Sequence, residues 1–252
     1  MEKDLSLTKQ IQVRYSEMDY NLVLKPSALL QYLQDIASES AENLGFGYSF
    51  VTKNNLAWFL LKYHIEFSKY PENIYNLTLR TQPRGYNKLF AFRDFEFFNG
   101  EESLGKVAST WAMVDLNTKN LVSASEYLSS NPNMLTFEKK DTDLKYGRIA
   151  PLSKIDIEKE FEIRFDDIDV NRHANNTNYL VWAFEPLDYE FRSNYVLKTL
   201  DLVFKKEIKY GQKVLSQIEI IDNKTNHVLK CLETNEDLCL ISAEWILKSA
   251  IC

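Results

Sequence analysis

Val13-Arg14-Tyr15-Ser16-Glu17-Met18-Asp19-Tyr20-Asn21 returns as Ile163-Arg164-Phe165-Asp166-Asp167-Ile168-Asp169-Val170-Asn171, 150 residues later and without a gap. Arg, Asp and Asn stand at three identical places, and the β-branched, aromatic, acidic and apolar places keep their character. A match of this length at a fixed offset marks an internal duplication, so the chain is read as one unit present twice.

The stretches C-terminal to the two copies are also alike. After the first, Leu29, Leu30, Leu33, Ile36, Ala37, Ala41 and Leu44 recur at helical spacing. This predicts an amphipathic helix from Pro26 to Leu44, capped by Ser27 and stopped by Gly45. After the second, Asn175 and Asn176 are cap candidates ahead of Tyr179, Leu180, Trp182 and Ala183, and Pro186 cuts the helix short. Each helix leads into four runs rich in β-branched and aromatic residues, which predicts strands. They cover 57–67, 75–84, 88–98 and 104–114, then 199–209, 213–221, 228–233 and 238–247. The fold class is therefore α+β, two tandem units, each an antiparallel sheet wrapped around a central helix. The units are drawn at 1–128 and 161–252, joined by a polar connecting segment at 129–160 that contains Pro132 and Pro151.

Composition narrows the function. With 252 residues, 45% hydrophobic and 26% charged, the chain has the profile of an ordinary globular protein. A net charge of −6 argues against a general nucleic-acid binder, which needs a basic footprint. No window approaches the length of apolar chain that a membrane span requires, and the first ten residues have no signal-peptide core. The three cysteines form no C-x-x-C pair, which suits a reducing compartment. A cytoplasmic location is the expectation.

The two copies diverge where chemistry would reside. His173 stands where the first copy has Val23, and Arg172 where it has Leu22. Between Asp169 and Asn176 lie a carboxylate, an imidazole and three carboxamides. His suits acid–base work near neutral pH, a carboxylate can fix its tautomer, and an Asn can donate to a developing oxyanion. Asp and Asn are also common turn and cap residues, and capping is the expected task of Asn175 or Asn176. Further on, Glu207 aligns with Phe67 on the strand after the helix, either aimed at His173 or paired with a neighbouring Lys on a solvated face.

The run from Arg164 to Tyr179, with Trp182 and Glu185 beyond it, resembles the signature of the acyl-ACP thioesterases, and the likeness extends over nearly the whole chain. The resemblance implies a double hot-dog fold in which the N-terminal unit holds the acyl chain and the C-terminal unit is catalytic. It implies hydrolysis of fatty acyl-ACP to free fatty acid and holo-ACP, with no cofactor and no metal. It assigns Asp169, Asn171, His173 and, across a short gap, Glu207 to the catalytic set. Ile208 occupies a place where plant members have cysteine, so the nucleophile is expected to be water rather than a thiolate. Acyl carrier protein is acidic, which makes Arg172, Lys205, Lys206, Lys209 and Lys213 docking candidates. A hot-dog dehydratase or hydratase and a non-catalytic acyl binder are the competing readings, and a homodimer is left open.

Overall fold

The computed structural model describes residues 4–170 and 172–248. Contacts divide it between Lys145 and Tyr146, with the short stretch Lys25–Leu30 grouped with the second part.

The first unit runs through β1 (Leu7–Gln12), α1 (Pro26–Asn43), α2 (Tyr48–Lys53), β2 (Leu56–Phe67), β3 (Asn76–Tyr86), β4 (Phe90–Asn99), β5 (Glu102–Asp115) and α3 (Ala124–Leu128). Its strands pair antiparallel in the order β1-β3-β4-β5-β2. The second unit contains β6 (Ile157–Glu162), α4 (Asn176–Phe184), α5 (Tyr189–Asn194), β7 (Tyr195–Phe204), β8 (Lys213–Ile221), β9 (Lys224–Cys231) and β10 (Asp237–Leu247). Its order, β6-β8-β9-β10-β7, repeats the first position by position. β1 and β6 lie 150 residues apart and share one burial pattern, so the duplication extends to backbone and packing.

Local chemistry accounts for the helix ends. Pro26 takes the first position of α1, where a missing N–H needs no partner, and the carbonyl of Lys25 accepts from Ala28 and Leu29. Ser27 therefore lies inside the first turn and is not the cap. At the other end Gly45 adopts φ +83, while Phe46 N–H bonds Ala41 O and Gly45 N–H bonds Glu42 O. This pair of bonds closes the helix as a Schellman motif, for which the left-handed glycine is required. Asn175 caps α4 by accepting from Thr177 N–H at 2.9 Å. Leu29, Leu30, Leu33 and Ile36 are buried on α1, as are Leu77, Leu79, Phe95 and Phe97 on β3 and β4. In the first unit Ala41, Phe46, Val51, Leu56, Ala91, Met113, Ala124, Leu128 and Met134 form one buried apolar cluster.

Several boundaries differ from the sequence expectation, among them β9, expected over 228–233 and found at Lys224–Cys231. The strand expected over 199–209 is β7, which begins earlier and ends at Phe204. There the N–H groups of Lys205 and Lys206 both turn to the carbonyl of Leu238, and regular pairing stops. β6 begins at Ile157, inside the segment read as connection. That segment is tied down from both sides: Asp143 pairs with Arg84, Phe137 packs on Phe92, Gly147 N–H donates to Asp201 Oδ1 at 2.9 Å, and Ser153 bonds Glu219. The connecting segment is thus anchored along its length by side chains and by the Gly147 main chain.

Candidate active site

The site is built on a short loop between β6 and α4. A 3-10 turn at Phe165–Asp167 is clamped by Arg164, whose main-chain N–H reaches Asp167 Oδ2 at 2.8 Å and whose Nη2 reaches Oδ1 at 2.7 Å. Asp167 is 1% exposed, and its carbonyl accepts from Asn175 N–H and Asn178 Nδ2, both at 2.9 Å. A buried carboxylate with this many donors is a rigid mount. Beyond it, Asp169 N–H donates to His173 O at 2.9 Å and Arg172 N–H to Asp169 O at 3.0 Å. Arg172 takes φ +66 to close the loop, a conformation that a non-glycine residue adopts only under constraint.

The first unit contains the same loop. Asp19 N–H donates to Val23 O at 2.8 Å, Leu22 N–H to Asp19 O at 3.0 Å, and Leu22 takes φ +59. There the Asp19 carboxylate accepts from Asn21 N–H at 2.8 Å and Val23 N–H at 3.0 Å. Loop geometry is thus independent of whether a histidine occupies the fifth place.

His173 and Glu207 meet. Nε2 of the imidazole lies 3.2 Å from Oε2 of the carboxylate, with side chains 25% and 41% exposed. Nδ1 is buried and, among the described residues, has no hydrogen-bond partner. Glu207 does not sit on a strand as expected. It lies beyond the end of β7 in a segment that leaves the sheet, so that Ile208 O can accept from Ala174 N–H at 2.9 Å, next to His173. The equivalent bond in the first unit runs from Leu24 N–H to Pro71 O, also at 2.9 Å. Ile208 therefore matches Pro71, and the counterpart of Glu207 is Tyr70, not Phe67. Tyr70 stacks on Phe67, with ring centroids 4.8 Å apart. Val23 and Tyr70 thus replace the His–Glu pair, and the first unit has no acid–base pair at this place.

The other expected residues have more varied placements. Asp169 anchors the loop through its backbone, and Asn171 lies outside the described residues. Ile208, beside Glu207, is fully buried. Of the cysteines, Cys231 donates to Glu233 at 3.2 Å, and burial pushes the Cys239 thiol far above its ordinary range. Lys205, Lys206 and Lys213 are paired with Asp237, Glu236 and Glu162. Arg172 and Lys209 are exposed and, among the described residues, have no ion-pair partner. Also among the described residues, no group of three or more His, Cys, Asp or Glu is arranged to hold a metal ion, and no helix is long and apolar enough to cross a membrane.

Sequence reasoning missed the role of Tyr179. It is buried on α4, and its hydroxyl donates to the carbonyl of Lys206 at 3.1 Å, one residue before Glu207. Burial, then the nearby Cys239 thiol and the carboxylates of Glu207 and Asp169, hold the phenol above its usual range, so it stays a donor. Its position in the motif was visible. Its bonding partner, a backbone carbonyl distant in sequence, was not.

Comparison with known proteins fixes the family. The N-terminal domain model of acyl-ACP thioesterases matches residues 4–130, and the C-terminal domain model matches 152–247. The chain belongs to the acyl-ACP thioesterase family. The family is one of thioester hydrolases that act on acyl-ACP. A chloroplastic oleoyl-acyl carrier protein thioesterase of Coriandrum sativum is 25% identical, with 93% of this chain and 68% of that protein covered. A second oleoyl relative, from Arabidopsis thaliana, is also 25% identical over 89% of this chain and 64% of its own length. The chain thus spans about two thirds of these relatives. The crystal structure of an acyl-ACP thioesterase from Bacteroides thetaiotaomicron superposes with a TM-score of 0.84 at 20% identity, covering 96% of this chain and 98% of that one. A 12:0-ACP thioesterase from Umbellularia californica gives 0.83 at 18% identity, covering 98% and 99%. These superpositions establish the hot-dog fold of this thioesterase.

Proposed function

We propose that this chain hydrolyses fatty acyl-ACP to free fatty acid and holo-ACP at the loop of Asp169 to His173, with Glu207 and His173 activating water. The observation that carries this reading is the 3.2 Å contact between His173 Nε2 and Glu207 Oε2 in the unit that keeps both groups. Glu207 is the more exposed partner and the one that can meet water. With Nε2–H directed at one carboxylate oxygen, the other accepts a proton as the water oxygen attacks the thioester carbonyl. The same proton then passes to the departing pantetheine sulfur, and the carboxylate is regenerated. Asp169 orients the loop, and Asn171 is assigned to the carbonyl oxygen. The acyl chain is assigned to the apolar interior of the first unit.

Docking of the acidic carrier falls to Arg172 and Lys209, which have no acidic partner to release among the described residues. Lys205, Lys206 and Lys213 stand close behind, since exposed ion pairs contribute only about 0.2–1 kcal/mol and exchange partners readily. Buried, unpaired Cys231 and Cys239 fit a reducing compartment, and we place the activity in the cytoplasm.

The direct test is free-thiol release from acyl-ACP substrates of graded length, beside acyl-CoA controls. Turnover of acyl-ACP is expected, and no thiol release from any of them would reject the reading. Tyr179→Phe examines the mount beneath Glu207. The variant should stay folded and lose kcat by about tenfold, the scale of one hydrogen bond of roughly 1–1.5 kcal/mol. Because the carboxylate is displaced rather than removed, the pH profile of kcat should shift as well. An unaltered profile with full kcat would assign Tyr179 to packing alone.

A further inference from the structure

On β4 the inward-facing residues are Ala91, Arg93, Phe95 and Phe97, so a guanidinium lies within an apolar face. Arg93 is 5% exposed. Its Nη1 donates to Ser40 Oγ on α1 and to Thr81 Oγ1 on β3, both at 3.0 Å, and both acceptor residues are buried. A guanidinium has five N–H donors, and the two bonds formed use only one of its three nitrogens. Among the described residues, Nε and Nη2 have no hydrogen-bond partner and no carboxylate pairs with the charge. Burial pulls its pKa down to about 10, and the one group opposing that pull is the phenol of Tyr63, so Arg93 is cationic at neutral pH. A buried cation with no counter-charge is costly to keep.

Arg93 also lines a cleft of the first unit, together with Ala37, Ala41, Phe46, Trp58, Trp111 and Met134. An apolar cleft with one unmatched cation suits a long apolar ligand that carries one negative group. We propose that this cleft binds an alkyl chain bearing a carboxylate, seated side-on against the Nε and Nη2 of Arg93. The fork geometry is the one in which guanidinium and carboxylate form two parallel bonds. Two sources supply this chemistry: a free fatty acid, which is the product of the reaction, or an acyl group with a second carboxyl at its far end. The proposal rests on assigning the acyl chain to the first unit, but its primary test does not require turnover.

The full chain is titrated calorimetrically with octanoate, dodecanoate and hexadecanoate, each beside the alcohol of equal length and below the micelle threshold. The carboxylate of the best-fitting length is expected to bind about tenfold or more tightly than its alcohol, the scale of one charge-assisted contact. Arg93→Met, of similar length and without charge, should bring acid and alcohol to parity. Equal affinity in the wild type, or a preference that survives in a folded Arg93→Met, overturns the proposal. If Arg93→Met does not fold by circular dichroism, Arg93→Lys decides, since it keeps the charge and removes the fork. A reduced preference supports the site, and an unchanged one overturns it.

Two further arms separate the sources. Inhibition of acyl-ACP hydrolysis by dodecanoate, relieved in the variant, identifies the free acid. Faster hydrolysis of an ω-carboxyacyl-ACP than of its unsubstituted counterpart, with the ratio falling to one in the variant, identifies the carrier-bound source. If acyl-ACP is not hydrolysed at all while the acid-over-alcohol preference holds, the catalytic reading fails and this site stands.

Discussion

His173→Ala should lower kcat on acyl-ACP by roughly 10²–10⁴-fold, the range for loss of a positioned acid–base group, while thermal unfolding stays nearly unchanged. The stability half of this expectation comes from the molecule itself. The same loop, with the same hydrogen bonds and the same left-handed fourth residue, forms around Val23 in the first unit. The imidazole is a quarter exposed and its Nδ1 bonds nothing among the described residues, so its removal leaves little unsatisfied. Glu207→Gln keeps the shape of its side chain and removes its ability to take a proton, so it should match His173→Ala in kcat with KM little affected. Steady-state kinetics beside a melting curve measures both. A folded His173→Ala with wild-type kcat would move the chemistry elsewhere.

The second large effect concerns stability in acid. His227 is fully buried on β9, with Nε2 2.8 Å from Thr225 Oγ1 and its ring edge-on to Phe184 at 5.3 Å. Burial pulls its pKa down to about 3 from an ordinary 6.5. The unfolded chain therefore takes up a proton below about pH 6.5 that the native state refuses until about pH 3. Stability from this group is complete above the upper value and is lost as the pH falls through the window. The loss is about 1.4 kcal/mol per pH unit, so roughly 3 kcal/mol has gone by pH 4.5. Urea unfolding at a series of pH values should show this slope, and His227→Leu should flatten it. A variant as acid-labile as the wild type would place the sensitivity in the carboxylates instead.

The duplication, α1 with its glycine stop, the cap at Asn175 and the antiparallel units were legible because each depends on neighbours in sequence. The family resemblance named the residues that the structure brings together as His173 and Glu207. The end of β7 was not legible, because Glu207 to Tyr210 alternates polar and apolar residues beyond the point where Leu238 O takes two N–H groups and pairing stops. The counterpart of Glu207 was misassigned for a related reason: the gap between the copies falls in irregular chain, where only the bonds to Pro71 O and Ile208 O fix the register. Arg93 was hidden because a charged residue in a strand reads as outward-facing, whereas the pleat turns this one inward to Ser40 and Thr81. Tyr179 was visible as part of a motif, but its task depends on a carbonyl that only folding brings near.

The twin loops bear on how such a molecule can change over time. Main-chain bonds of one aspartate hold each of them, with the Asp19 carboxylate adding two more in the first, so the fifth position is a socket rather than a support. A histidine there is a tenant, and a valine can succeed it without disturbing the building. In a duplicated chain the two copies can therefore carry different side chains at that place on one and the same backbone.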